Sequence, residues 1–257
     1  MVGGDGVLAA AAKASQTHPV HISISHGALK ADAYYPVSDY NAPNVENAAS
    51  GPVNATRFHV VVNDRVAVDK LVDNMPVALR IVTAQGGKPL VMLDTYSGGA
   101  HCCFASATVE PQAGGIVAFC THDWADLGYK TMRSADGSGY VFLTGDIATA
   151  YEFSSFAGST FPVLILTYRN GTFADATDQY RHIIELDAGR HWKEFLTDAH
   201  SNAAPDSALV AYLADEYRLG DQQTAWKRVH AADGNDADFE RKALTWLQTN
   251  GYARNSK

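Results

Sequence analysis

Residues 161–173, FPVLILTYRNGTF, indicate the fold class most directly. An apolar run rich in Val, Ile and Leu reaches Asn170-Gly171, and these two residues accept the positive φ that a two-residue hairpin turn requires. Outward from this hairpin, short runs rich in Val, Ile, Leu, Phe and Tyr alternate with turn signals over residues 57–177. The pattern predicts an antiparallel β-meander body, either propeller-like or sandwich-like.

The periodicity changes after Asp178, where apolar residues take helical spacing. Pro205 opens one predicted helix and Gly220 closes it, while Gly251 ends the last helix. We therefore expect a C-terminal helical appendage over residues 178–257 and a tail, strand and long loop over residues 1–56. The predicted fold class is α+β, with a core that includes an aromatic stripe of Tyr212, Tyr217, Trp226, Phe239 and Trp246.

The charge and hydropathy of the chain argue against two classes of partner. The net charge is -8 and no long basic run occurs, so we expect no nucleic-acid partner. No apolar run approaches the roughly 20 residues of a transmembrane helix. The first twenty residues lack the basic region and apolar core of an intact signal peptide, so they are interpreted either as the trimmed end of an exported chain or as a tail.

The stretch YSGGAHCCF, residues 96–104, contains the most unusual chemistry. The runs HCCFASATVE and GIVAFCTHDW flank the turn signal PQAGG, which predicts a hairpin. If Cys103 lies opposite Cys120, then His101 lies opposite His122, and the four side chains share one face of the sheet. Cys102 would then point to the other face.

Three interpretations fit that arrangement. Zn²⁺ or Cu(I) could be bound by His101, Cys103, Cys120 and His122. A reactive thiol could use His101 or His122 as its base, with Asp123 or Asp94 orienting that base. A disulfide could join Cys103 to Cys120, with Cys102 as the alternative partner, as is expected of an exported protein. The sequence favours the disulfide.

Two longer segments carry a family resemblance. LDTYSGGAHCC at 93–103, followed by the segment from SADGSGYVF to RNGTFADAT at 134–177, resembles a group of bacterial secreted or periplasmic proteins. That group is similar to FG-GAP/VCBS-type propeller repeats, whose Asp-rich loops can hold calcium. The resemblance runs from about Leu90 to Tyr180, and it implies export to the periplasm or beyond and a β-rich, repeat-like body. It implies no activity.

Three further sets of residues could bind calcium or another ligand, and the resemblance suggests only the calcium set. Asp136 and Asp146 are the candidates for calcium, although single carboxylates are more typical of turns. His182 and Glu185 share a helical face, which is more typical of a solvated contact than of an acid and base pair. A binding loop, either an anion-binding nest or a sharp turn, is predicted at Tyr96, Ser97, Gly98, Gly99 and His101.

The sequence lacks the common short enzyme motifs, including the phosphate-binding loop and the nucleophile elbow. We therefore predict a non-catalytic, exported binding protein of the bacterial envelope without a cofactor, whose partner is an unknown protein or envelope ligand. The alternative is a Zn- or Cu-dependent enzyme or metal-binding protein that uses the face of His101, Cys103, Cys120 and His122.

Overall fold

The computed structural model describes residues 7–11, 19–36, 55–98, 104–112, 115–198, 205–233 and 236–253. The chain divides into two compact units. The first contains residues 1–142 and 167–174, and the second contains residues 143–166 and 175–257.

Two antiparallel sheets form most of the first unit. The central sheet has the order β1-β6-β7-β8-β9, with β1 at Val7–Ala11, β6 at Met75–Thr83, β7 at Pro89–Tyr96, β8 at Phe104–Gln112 and β9 at Gly115–Asp123. The outer sheet has the order β2-β3-β4-β5, with β2 at Val20–His26, β3 at Leu29–Tyr35, β4 at Ala55–Val62 and β5 at Arg65–Asp73.

One apolar cluster joins the two sheets. Leu79, Val91 and Leu93 of the central sheet pack in the same buried cluster as Phe58 and Val60 of the outer sheet. Face-to-face packing through alternating apolar residues is the arrangement of a β-sandwich. The antiparallel sheets and the C-terminal helices confirm the α+β class, and no closed barrel or propeller occurs across the described residues.

A third sheet has the order β10-β11-β12-β13, with β10 at Lys130–Arg133, β11 at Tyr140–Gly145, β12 at Val163–Arg169 and β13 at Thr172–Asp175. Asn170 and Gly171 have φ values of 52° and 85° and close the β12–β13 hairpin. The turn predicted from these two residues is therefore confirmed.

Among the described residues of the second unit, four helices form most of the structure: α1 at Arg181–Asp198, α2 at Pro205–Leu219, α3 at Gln222–Asp233 and α4 at Ala237–Thr249. The predicted C-terminal helical region is confirmed. Tyr212, Phe239 and Trp246 of the aromatic stripe are buried in its core, and Tyr217 and Trp226 pack against that core. In the portion of the chain that the structure covers, no helix is both long and apolar enough to span a membrane.

The observed units differ from the predicted division at residue 178. Residues 143–166 belong to the helical unit, and hydrogen bonds join them to its helices. The backbone N–H of Thr160 donates to Ser207 Oγ at 2.7 Å, and the Trp246 indole donates to the carbonyl of Ala148 at 3.0 Å. The N-terminal segment contains β1, β2 and β3 before residue 56, whereas one strand was predicted there.

Candidate functional site

The central sheet buries polar residues on the face opposite the sandwich core. Along β7 and β8, Leu93 and Ala107 face that core, and the alternating positions place polar side chains on the other face. The polar side chains there are Asp94, Ser106, Thr108 and Glu110, all of which are buried. We call this set the buried polar face, and its members require hydrogen-bond partners because they are shielded from water.

Asp94 lies at the centre of the buried polar face. Its Oδ2 accepts a hydrogen bond from Arg80 Nε at 2.7 Å, and its Oδ1 accepts one from Ser106 Oγ at 2.5 Å. The Tyr129 hydroxyl lies 3.0 and 3.1 Å from the two carboxylate oxygens. The Trp124 indole donates to Ser106 Oγ at 2.8 Å and extends the network. Both oxygens of Asp94 are therefore occupied by protein donors.

Electrostatics supports a structural role for this network. Burial raises the pKa of Asp94, and the hydrogen bonds from Ser106, Arg80 and Tyr129 oppose that rise. Burial alone would lower the pKa of Arg80, but Asp94 and Tyr129 raise it above its ordinary value. Burial also raises the pKa of Tyr129, so its hydroxyl stays protonated and donates. The arrangement holds the carboxylate in place, and each of its oxygens already accepts a hydrogen bond from the protein.

Aromatic rings cover the Asp94 end of the polar face. The Trp124 ring lies 4.5 Å from Tyr129 and 5.1 Å from Phe173, measured between centroids. The His122 ring packs 4.3 Å from Trp124 and 4.7 Å from Phe173. Burial lowers the pKa of His122, although Asp123 opposes the shift, so its imidazole is neutral at pH 7.

A second group of polar atoms lies further along the same face. Glu110 forms an ion pair with Lys88, whose Nζ lies 2.9 Å from Glu110 Oε1. Glu110 Oε2 and the hydroxyl of Thr108 have no hydrogen-bond partner among the described residues. Cys120 lies opposite Thr108 and beside Tyr168. Burial raises the pKa of the Cys120 thiol, and a hydrogen bond with Tyr168 opposes that rise. The thiol is therefore poorly ionised at neutral pH.

The register of the β8–β9 hairpin corrects one prediction. Thr108 lies opposite Cys120 and Ser106 lies opposite His122, so the predicted register with Cys103 and His101 in those positions is wrong. Pairing continues through Pro111 and Gln112, after a register shift between Glu110 and Pro111, so β8 and β9 extend into the stretch PQAGG. Among the described residues, Cys120 has no disulfide partner.

Part of the predicted site lies outside the described residues, namely Gly99, His101, Cys102 and Cys103. A disulfide from Cys102 or Cys103 to Cys120, and a metal site with His101, therefore stay predictions. Of the predicted binding loop, Tyr96 pairs with Phe104 where β7 and β8 meet, and Gly98 has φ +82°. That dihedral is the one that a sharp turn requires of glycine.

Asp136 and Asp146, the predicted calcium ligands, make the contacts of turn and cap residues. Asp136 accepts hydrogen bonds from the side chains of Ser134 and Gln85 and from Ser138, and these donors hold its pKa well below the ordinary value. Asp146 caps the 3₁₀ turn Ile147–Thr149 and accepts a hydrogen bond from Tyr252 at 2.6 Å. Calcium binding by either residue stays a prediction.

The helical unit contains a polar cluster that the sequence did not reveal. Asp187 and His191 of α1 lie beside Asp215 of α2, and His191 and Asp215 are completely buried. The spacing of Asp187 and His191 predicts that their side chains are neighbours, since residues four apart share a helical face. Asp215 is far away in sequence, so only the fold brings it to them. His182 and Glu185, by contrast, form an exposed contact at 3.8 Å.

The chain is similar to a described sequence family and to a relative described as a probable thylakoid lumen protein. Residues 184–252 match the sequence profile of a family described as the sll0997 C-terminal domain. The chain is 26% identical over 178 residues to the "Probable thylakoid lumen protein sll0997" of Synechocystis sp., a match that covers 64% of this chain and 51% of the relative. The chain thus spans about half the length of that relative. No solved structure matches the chain.

Proposed function

We propose that this protein works outside the cytoplasm as a non-catalytic binding protein that recognises a protein partner through residues 96–103. Its relative in Synechocystis sp. is described as a probable thylakoid lumen protein, which supports an exported location. The thylakoid lumen, like the periplasm, lies across a membrane from the cytoplasm. The resemblance of the YSGGAHCC segment to secreted and periplasmic proteins agrees with this compartment.

The observation that carries the proposal is that both ends of this segment are fixed. Tyr96 pairs with Phe104, and the Asp94 carboxylate accepts a hydrogen bond from Ser106 two pairs further into the sheet. The backbone of Phe104 also exchanges two 2.7 Å hydrogen bonds with Ala125 and Trp124. Recognition segments held at both ends by a rigid scaffold lose less entropy on binding.

The chemistry next to the segment supports binding rather than catalysis. Asp94 is occupied by donors on both oxygens, and His122 is packed between aromatic rings. The competing function, a Zn- or Cu-dependent enzyme, depended on Cys103 and His101 facing Cys120 and His122. The strand register that this function requires is not the one observed between β8 and β9.

The proposal can be tested by affinity capture from the extracytoplasmic fraction of the producing organism. The immobilised baits are the wild-type chain, Ser97→Arg in the segment, and Asp64→Arg as an exposed control in the β4–β5 turn. We expect at least one protein to be captured by the wild type and by Asp64→Arg, and to fall about tenfold or more with Ser97→Arg, as for a central interface residue. Equal capture by all three baits would contradict the proposal.

The compartment is tested separately. A tagged product of the natural gene should fractionate with lumenal or periplasmic markers and should resist protease until the enclosing membrane is opened. Recovery with cytoplasmic markers would contradict export. The binding experiment would still test partner recognition through residues 96–103.

A further inference from the structure

The packing of α1 against α2 buries a histidine among carboxylates. His191 Nε2 lies 3.0 Å from Asp187 Oδ2 and 3.6 Å from Asp215 Oδ2. The three potential ligand atoms all lie within 4.8 Å of one another. The rest of this helical core is largely apolar, so the cluster is costly unless something compensates its charges.

Asp215 lacks hydrogen-bond partners among the described residues, as does the Nδ1 atom of His191 in the same cluster. Its side chain is fully buried, and neither carboxylate oxygen has a hydrogen-bond partner among the described residues. Its closest opposite charge is His191, at a distance too long for a hydrogen bond. A buried carboxylate in this state needs either a proton or a cation, and it points at two other groups that bind cations.

The distances suit a metal ion with nitrogen and oxygen ligands. Ligand atoms that each lie about 2.0 to 2.2 Å from one Zn²⁺ are roughly 3 to 4 Å apart in tetrahedral geometry. The separations from His191 Nε2 to Asp187 and Asp215 lie in that range. Two carboxylates would also neutralise the ion, so the occupied site would bury no net charge.

The other nitrogen of His191 faces a group that could orient the ring. Glu194 Oε2 lies 3.8 Å from His191 Nδ1, and Thr160 Oγ1 donates to Glu194 Oε1 at 2.9 Å. A carboxylate beside the distal nitrogen is the usual arrangement behind a metal-bound histidine. At 3.8 Å the contact is longer than a hydrogen bond, so it must shorten for Glu194 to hold Nε2 towards Asp187 and Asp215.

One positively charged side chain, Arg190, lies at the cluster and must move away when a metal ion binds. Arg190 donates to Asp187 Oδ1 at 2.6 Å and lies 3.3 Å from His191 Nε2. Its side chain is 58% exposed, so it can turn into solvent without breaking a packed core. Its departure would leave room for a water molecule as a fourth ligand.

We propose that Asp187, His191 and Asp215 form a Zn²⁺ site within the helical unit, with Glu194 positioning the imidazole. The site is distinct from the predicted face of His101, Cys103, Cys120 and His122 and does not depend on the proposed binding function. It would join α1 to α2 across the chain segment that connects them.

Isothermal titration of the full, chelator-treated chain with ZnCl₂ tests the site. We expect one Zn²⁺ per chain to bind at the cluster, and Asp215→Asn, which keeps the side-chain shape, to weaken that binding more than about 100-fold. Glu194→Gln should weaken it about tenfold. His182→Gln, an exposed histidine on the same helix, is the matched control and should bind as the wild type does.

A spectroscopic measurement on the wild type keeps the test independent of variant folding. X-ray absorption of the Zn²⁺-loaded chain should show only nitrogen and oxygen ligands at about 2.0 to 2.2 Å. Sulfur in the shell, lost in Cys102→Ser/Cys103→Ser, would place the ion at the cysteine segment and overturn the proposal. Equal affinity of Asp215→Asn and the wild type, or no binding to the wild type, would also overturn it.

Discussion

Asp94 is the residue on which the buried polar face depends, because it accepts hydrogen bonds from residues on three separate parts of the chain. Arg80 donates from β6, Ser106 from β8, and Tyr129 from the segment after β9. Removing one member leaves the others buried without their partner, which costs more than the intact network contributes. The polar face therefore makes the first unit sensitive to single substitutions.

We predict that Asp94→Asn lowers the free energy of unfolding by about 3 kcal/mol, since Arg80 loses its buried counter-charge. Urea denaturation followed by tryptophan fluorescence measures the change, with Trp124 as a probe inside the network. Asp69→Asn is the control, because Asp69 pairs with Arg57 at the exposed surface of the outer sheet. A shift in midpoint no larger for Asp94→Asn than for Asp69→Asn would refute the role assigned to Asp94.

Cys120 provides a second prediction at the level of single residues. Its thiol is half-buried, and burial raises its pKa, so little thiolate is present at pH 8. In the variant Cys102→Ser/Cys103→Ser, we expect iodoacetamide to modify Cys120 about tenfold or more slowly than it modifies a free cysteine peptide. Unfolding in urea should abolish the difference. Equal rates in the folded chain would show that the thiol is more accessible than its contacts indicate.

At the scale of elements, the β12–β13 hairpin combines a turn requirement with close packing. Gly171 has φ +85°, and a Cβ at this position would lie 2.7 Å from the Cβ of Ala118. Gly137 has a similar φ of +69° but has nothing within 4 Å of its Cβ position. Comparing the two glycines separates backbone strain from steric overlap.

We predict that Gly137→Ala costs roughly 1 to 2 kcal/mol of stability, the cost of a side chain in left-handed backbone. Gly171→Ala should cost at least about 1 kcal/mol more, because Ala118 must also move. Equilibrium denaturation of both variants gives the comparison. Equal losses of stability in Gly171→Ala and Gly137→Ala would mean that β9 can move at Ala118 at little energetic cost.

Elements governed by local chemistry could be predicted from the sequence. The Asn170-Gly171 turn and the helix ends at Gly220 and Gly251 follow from dihedral preferences of single residues. The β8–β9 register could not be predicted, because it depends on a register shift between Glu110 and Pro111 and on pairing that continues into Gln112. The cluster around Asp215 was missed for a related reason: its members meet only when α1 packs on α2.

At the scale of the whole molecule, the chain enters the helical unit twice. Residues 143–166 belong to that unit although they precede the first helix, and residues 167–174 return to the first unit. Within the helical unit, Tyr252 donates to Asp146 at 2.6 Å and Ser207 accepts from the backbone of Thr160. The unit is therefore longer than the segment 184–252 that matches the sll0997 C-terminal domain.

The last prediction follows from those contacts. We expect a fragment of residues 143–257 to fold cooperatively and a fragment of residues 178–257 to be much less stable, because the shorter fragment exposes Trp246 and leaves the hydroxyls of Ser207 and Tyr252 without their partners. Loss of several such contacts, at about 1 kcal/mol for each hydrogen bond, removes a large part of the stability of a small domain. Thermal melts followed by circular dichroism compare the two. Equal melting temperatures would show that the four helices are self-sufficient and that residues 143–166 only lie against them.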